Sequence, residues 1–454
     1  MTAQLSDGNL WLHFTRTSDW IGEHPKVPVI ERGEGCYVWD TEGNRYFDAL
    51  SALFCAQLGY GHQSLVDAAT KQLEILPFAT NWGWSHQPAI DLAAELTERF
   101  PGDLDHFFFV NSGSEAVESA MKLAIQYHRM RGEDRYKFIS RNLAYHGTSF
   151  GALGLTGLPA LRKMFEPVRP GHFHAPATNP YRCSSSQQCP PCDLACARSI
   201  EDIVQAEGPD QIAAIFVEPV QNAGGCLTPP EGYLEEVRRI CDEYGILMVS
   251  DEVICGFGRL GYWTGAEAYG YLPDMITFAK GITSAYQPLG GVGFRRHLGD
   301  VLGSDTTSMY LHGSTWGGHP VAAAVALANL DLFDELGVLD NVRSNGPWLG
   351  EQLWGLYDRH EMVGDVRGTG YFWALELVKD RERKVAFDHQ ESERLLRGFL
   401  SGRLLELGLI CRADNRDQPA IQLSPPLIAT RDELGEIIRI LDQVLAEAAD
   451  HMRS

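Results

Sequence analysis

Three apolar runs, each closing on a polar residue, constrain this chain more than any other feature. Residues 213–220 (AAIFVEPV), 245–253 (GILMVSDEV) and 274–281 (DMITFAKG) are short and rich in branched or aromatic side chains. Strands buried on both faces read this way, and burial on both faces belongs to a parallel sheet covered by helices. In such sheets ligands bind outside the carboxyl ends of the strands, where a crevice opens. Glu218, Asp251 and Lys280 stand at those ends, so they are expected to converge on one site. A carboxylate and an amine there suit a cofactor with a basic ring nitrogen and an aldehyde. Lys280 follows Phe278 and Ala279, and a desolvated lysine loses its proton more easily and becomes a usable nucleophile.

Bulk properties narrow the class. The chain has 454 residues, enough for two domains or one large domain with a smaller companion. Its formal net charge of −22 argues against nucleic acid, which needs basic surface. No apolar run approaches the ~20 residues of a membrane span. The first residues, MTAQLSDG, carry neither a basic nor an apolar leader segment, so the expected compartment is the cytoplasm. Most of the 10 cysteines are single and sit in apolar contexts, as small buried hydrophobes do. Cys183, Cys189, Cys192 and Cys196 cluster, but their spacing departs from paired zinc knuckles, and free thiols are expected there rather than a metal.

Other segments add local chemistry. Residues 26–50 read as an antiparallel meander turning at Asp40–Asn44. An apolar strand, 106–110, runs into Asn111-Ser112-Gly113-Ser114-Glu115. Ser112 and Glu115 have capping-box spacing, and the helix that follows ends before Gly132. A helix start with free amides is an anion site, and Gly113 and Ser114 are its expected phosphate binders. Gly256-Phe257-Gly258-Arg259-Leu260-Gly261 matches a dinucleotide fingerprint in letters only. It opens no helix, and the aromatic, glycine-rich stretch after it reads as a loop. Residues 363–376 look like a hairpin, and residues 412–419 like a polar loop after a short strand.

The ordered set Ser250-Asp251-Glu252-Val253-Ile254, Thr277-Phe278-Ala279-Lys280-Gly281 and His312-Gly313-Ser314-Thr315-Trp316 resembles the class III aminotransferases over nearly the whole chain. It is closest to their ω-amino acid and amine:pyruvate branch. The resemblance implies an α/β fold, the pyridoxal-phosphate transferase fold type I. A large domain over 58–325 would hold a mostly parallel seven-stranded sheet, and 1–57 would join 326–454 in a smaller α+β domain. It implies pyridoxal 5'-phosphate held by Lys280 as a Schiff base, with Asp251 on the pyridinium nitrogen. Tyr145 would stack on the ring, Val253 would border it, and Thr315 would reach the phosphate of a partner subunit. Phe14, Leu53, Phe54, Trp82, Tyr145 and Glu218 would line the substrate pocket. Arg412 would bind a substrate carboxylate and swing away for an uncharged amine. Glu218 would pair with an arginine when no substrate carboxylate needs it.

The expected reaction moves an amino group from an ω-amino acid or amine to a keto acid, with pyruvate as the expected acceptor, in a homodimer or tetramer with shared sites. Three alternatives stay open on sequence alone. A decarboxylase or racemase would use the same cofactor residues, 2-oxoglutarate could replace pyruvate, and a metal-organised interaction protein would rest on the four cysteines.

Overall fold

The computed structural model describes residue 5 and residues 8–21, 27–183, 192–305 and 307–453. An antiparallel meander opens the fold: β1 (Ile30–Glu34), β2 (Tyr37–Asp40) and β3 (Arg45–Asp48). Asp40 closes its turn by accepting from Glu42 and Asn44 amides at 3.0 and 2.9 Å. The large sheet comprises β4 (Leu104–Val110), β5 (Lys137–Arg141), β6 (His172–Ala175), β7 (Ile212–Val217), β8 (Leu247–Asp251), β9 (Met275–Phe278) and β10 (Gly290–Arg295). A second antiparallel set follows, β11 (Val363–Thr369) and β12 (Phe372–Leu377), with β13 (Leu409–Ile410), β14 (Arg412–Asn415) and β15 (Pro419–Leu423) near the C-terminus.

The large sheet has the order β4-β10-β9-β8-β7-β5-β6. Its β5, β6, β7, β8 and β9 pair in parallel, while β10 runs antiparallel to both β9 and β4. Every residue of β7, β8 and β9 is buried, as their continuous apolar character requires. Alternation divides their side chains between two cores. Ala214, Phe216, Val249 and Met275 pack toward the helix Gly113–Met130, and Ile215, Val217, Met248, Ile276 and Phe278 face the opposite core. The direction of β10 is not visible in its own residues, but its glycines are explained by packing. A Cβ at Gly291 would stand 2.5 Å from Phe278 Cζ, so only glycine lets the two strands pair with that ring between them.

Register sets the ends of the central strands level. Val217 pairs with Ser250, and Asp251 pairs with Thr277. Glu218 follows β7 directly, Asp251 ends β8, and Lys280 lies two residues past β9 in a short 3-10 turn, Lys280–Thr283. Lys280 itself has φ +50°, a left-handed conformation that only the surrounding turn can hold in a residue with a Cβ.

The two ends of the chain meet in one sheet, because β13 pairs in parallel with β3. The third sheet has the order β11-β12-β15-β14, entirely antiparallel. Here the expected loop 412–419 is corrected. Arg412–Asn415 is an edge strand facing Pro419–Gln422, and its polar composition is tolerated because one side of it has no strand neighbour. No helix among the described residues is long and apolar enough to cross a membrane.

One buried ionic cluster fastens this sheet to the large one. Glu376 of β12 is fully buried between Arg182 and Arg367, with Arg367 Nη1 at 2.6 Å. Arg367 also donates to the carbonyls of Gly225 at 2.6 Å and Gly224 at 2.9 Å. Deleting the carboxylate would take from Arg182 its ion pair and leave Arg367 only Asp365 among the described residues. Glu376→Ala is therefore expected to cost about 3–5 kcal/mol in denaturant unfolding. An unchanged midpoint would show that the cluster does not hold the sheets together.

Candidate active site

The level strand ends open into a cavity of about 350 Å3. Glu218, Asp251, Lys280, Gly113, Ser114, Tyr145 and Val253 all line it, so seven residues named from sequence come together. Asp251 is buried at the end of β8. Its Oδ2 is 2.7 Å from His146 Nδ1, and its Oδ1 accepts from the Val253 amide at 3.2 Å. These two contacts fix the carboxylate plane. His146 Nε2 is also buried and has no hydrogen-bond partner among the described residues. The structure makes His146 the residue that orients Asp251, and the available signal was its position next to Tyr145 on the same wall.

Across the cavity, the helix Gly113–Met130 begins with Ser112 as its N-cap, whose hydroxyl accepts from the Glu115 amide at 3.3 Å. The Glu115 carboxylate does not return to Ser112, as a full capping box would have it. It accepts instead from the Asn111 amide at 2.7 Å and from Asn111 Nδ2 at 2.9 Å. The amides of Gly113 and Ser114 belong to the first helical turn, where no carbonyl precedes them. Space there is tight. A Cβ on Gly113 would stand 2.8 Å from Val253 Cγ1, and one on Gly147 would stand 2.3 Å from Ser114 Oγ.

Lys280 reaches into the same space, and its ammonium makes no hydrogen bond or ion pair among the described residues. Burial pulls its proton affinity below the usual lysine range. The charge of Arg412 pushes the same way, while Cys55, Asp251 and Glu218 push back. Glu218 is buried, and its carboxyl is raised by desolvation. Among the described residues its carboxylate finds no arginine partner. The Tyr145 and Asn222 amides donate to it at 3.2 and 3.1 Å, and Arg141 donates to its backbone carbonyl instead. Neighbouring Glu252 is pushed up to about 7 by burial and caps the amides of Gly265 and Ala266.

The remaining expected residues lie elsewhere in this single chain. Phe54 is buried against Phe372, with ring centres 5.7 Å apart, and lies under Arg412. Phe14, Leu53, Trp82 and Thr315 are exposed and do not border the cavity. Trp82 lines a second depression with Trp84, Phe108 and Leu311. Residues that sequence reading missed include Cys55, Cys255 and the segment Gln287–Leu289, which complete the cavity wall and carry no motif. Cys189 lies outside the described residues, and among the described residues no group of three metal-ligating side chains could hold an ion.

A family model for class III aminotransferases matches residues 21–445. The chain belongs to the class III aminotransferases. It is 48% identical to a Mycobacterium tuberculosis protein named "Probable aminotransferase", over 98% of this chain and 94% of that one. A putrescine–pyruvate aminotransferase of Pseudomonas aeruginosa is 36% identical, over 93% of this chain and 91% of its own length. Among solved structures, the (S)-enantioselective ω-transaminase of Thermomicrobium roseum superposes with a TM-score of 0.91 at 38% identity, covering 97% of this chain and 96% of that one. The fold is therefore the pyridoxal-phosphate transferase fold type I, and this aminotransferase depends on pyridoxal 5'-phosphate.

The cavity fits that group. It has an anion-accepting helix start at one side, a buried and oriented carboxylate at another, and an amine with no partner between apolar walls. The low proton affinity of Lys280 has a directional consequence. The folded chain favours the neutral amine, so the penalty for burying the ammonium is full below the folded pKa and disappears above the ordinary value of 10.5. In cofactor-free protein, Lys280 should therefore be acetylated with a half-maximal rate at a pH below 10.5. Peptide mass mapping across a pH series would measure this, and a midpoint at or above that value would contradict it.

Proposed function

We propose that this aminotransferase transfers an amino group from an amine or ω-amino acid to pyruvate. The observation that carries the reading is the shared cavity of Asp251, Lys280 and the Gly113–Ser114 helix start, with Arg412 bonded to Asn222, whose amide donates to Glu218 in the cavity wall. The relatives support the acceptor and the donor class. One is named for putrescine and pyruvate, and another, from tomato, for γ-aminobutyrate.

Bound in the cavity, pyridoxal phosphate supplies an aldehyde for amine exchange and a ring that accepts electrons. The protein's own groups do the rest. The Gly113 and Ser114 amides bind phosphate at the positive end of a helix. Asp251, oriented by His146 and the Val253 amide, holds a proton on a ring nitrogen. Tyr145 and Val253 give flat and apolar walls that exclude water. Lys280 Nζ, whose proton affinity burial lowers, is the nucleophile and then the base that takes and returns a proton at the substrate carbon. Arg412 takes the carboxylate of the keto acid in a bidentate fork.

The reading extends to assembly, with residues 1–57 and 326–454 as one domain and 58–325 as the other. Trp82, Trp84, Met309, Leu311 and Trp316 are all exposed, an apolar concentration unusual for a monomer. We place a second copy on that face, with Thr315 reaching the neighbour's phosphate and Phe14, Leu53 and Trp82 completing its pocket. Sedimentation should give a dimer, and a fully active monomer at high dilution would contradict this. The expected compartment is a reducing cytoplasm, in keeping with the unpaired thiols of the described cysteines.

Incubation of the holoenzyme with 1-phenylethylamine and pyruvate should give acetophenone and alanine. Borohydride should fix the cofactor to Lys280. Exclusive use of 2-oxoglutarate would overturn the acceptor assignment. Decarboxylation or racemisation without amino transfer would overturn the reaction, and a reduced cofactor on another lysine would overturn the site.

A further inference from the structure

Arg412 is a largely buried cation, its side chain 12% exposed, and its main partners are neutral. Nη1 donates to Gln422 Oε1 at 3.2 Å and to Asn222 Oδ1 at 3.5 Å. Cζ lies 4.8 Å from the centre of the Phe54 ring. The Asp414 carboxylate is 3.7 Å from Nε and is already bonded by Arg416 at 3.0 Å. Burial among such partners pulls Arg412 down to about 10.

Both amides are buried and fixed. Gln422 Nε2 donates to Asn222 Oδ1 at 2.9 Å, to the Asn222 carbonyl at 3.1 Å and to Cys226 Sγ at 3.2 Å. With the amide nitrogen facing three acceptors, Oε1 has to face Arg412. The reverse orientation would set N–H groups against a guanidinium that only donates. Asn222 is anchored at its other side, where its amide donates to Glu218 in the cavity wall at 3.1 Å. Its loop is closed by reciprocal bonds between Gln221 and Leu227 and is gripped by Arg367 through the Gly224 and Gly225 carbonyls. The buried ionic cluster around Glu376 therefore ends, through this loop, at the guanidinium.

Neutral acceptors have a specific effect on a cation. They fix its direction but leave its charge uncompensated. A carboxylate in the same place would fix the direction and also neutralise it. Hydrogen bonds between charged partners are roughly twice as strong as neutral ones, so an arriving carboxylate can displace amides but competes poorly with another carboxylate. We infer that Asn222 and Gln422 are positioning residues, which aim the Arg412 guanidinium at the acceptor's carboxylate and keep it free to pair. This rests on the proposed role of Arg412 in binding the keto acid.

Two variants perturb the cradle in opposite ways. Asn222→Asp keeps Oδ1 and replaces an Nδ2 that makes no hydrogen bond among the described residues, so it adds a competing carboxylate without breaking a contact. Gln422→Met keeps the side-chain length and removes the acceptor. Holoenzyme of each, and of Arg412→Ala, would be assayed for the KM of pyruvate and of 1-phenylethylamine, with melting temperatures recorded. The ratio of pyruvate KM to amine KM is expected to rise about tenfold in Asn222→Asp and about threefold in Gln422→Met, as for one charged and one neutral hydrogen bond. Adding Asn222→Asp to Arg412→Ala should raise the ratio no further, because no guanidinium remains to capture. A ratio within about twofold of wild type in both single variants, with a clear rise in Arg412→Ala, overturns the cradle and leaves the role of Arg412 standing. An unchanged ratio in Arg412→Ala overturns both. Parallel rises in the two KM values with a lowered melting temperature would show a structural role only and overturn the inference.

Discussion

The Asp251 carboxylate is the constraint around which the site is arranged. It sits at the end of a strand with no exposed residue, and a buried carboxylate is costly unless its lone pairs are occupied. His146 and the Val253 amide occupy them from two different segments. The loop carrying Tyr145 and His146 must therefore cross the strand ends, and that crossing brings Tyr145 to the cavity wall. The turn after β8 must bring Val253 beside Gly113, which excludes any side chain there. Lys280, just past the end of the next strand over, faces the same cavity and meets no acceptor among the described residues.

The charges around the cavity are held by different means, and the differences are functional. Asp251 has an imidazole. Glu218 has only backbone amides, so burial raises its carboxyl. Lys280 has no hydrogen-bond partner among the described residues, and burial lowers its proton affinity. Arg412 has neutral amides and an aromatic face. Fixed direction with a charge only weakly met, by Asp414 3.7 Å from Nε, marks Arg412, the cation to which the proposed reaction brings a carboxylate. Arg367, a cation whose task is structural, is treated otherwise and is neutralised by Glu376 and Asp365.

Much of this was legible in the residues. Continuous apolar runs made β7, β8 and β9 visible, and the rule that ligands sit at carboxyl strand ends brought Glu218, Asp251 and Lys280 together. The capped helix start gave Gly113 and Ser114. What escaped has physical reasons. The direction of β10 depends on where its neighbours lie, which its own composition does not encode. Arg412–Asn415 looked like a loop because an edge strand carries polar residues on a backbone that only its partner reveals. His146 gave no signal beyond adjacency, since its meaning lies in Asp251, far along the chain. Asn222 and Gln422 belong to no motif, and two amides become a cradle only when folding sets them beside a guanidinium. Phe14, Leu53, Trp82 and Thr315 do not border the cavity of their own chain, so their proposed roles require a second copy.

The central claim is that Asp251, aimed by His146, keeps a proton on the cofactor's ring nitrogen inside the cavity. The most direct measurement is the NMR shift of that nitrogen in holoenzyme reconstituted with cofactor labelled at the ring nitrogen. The account predicts a protonated pyridinium signal that persists at pH values where the free pyridine has lost its proton. In Asp251→Asn the signal should move to the neutral pyridine position with the cofactor still bound. A neutral signal in the wild-type protein would contradict the account.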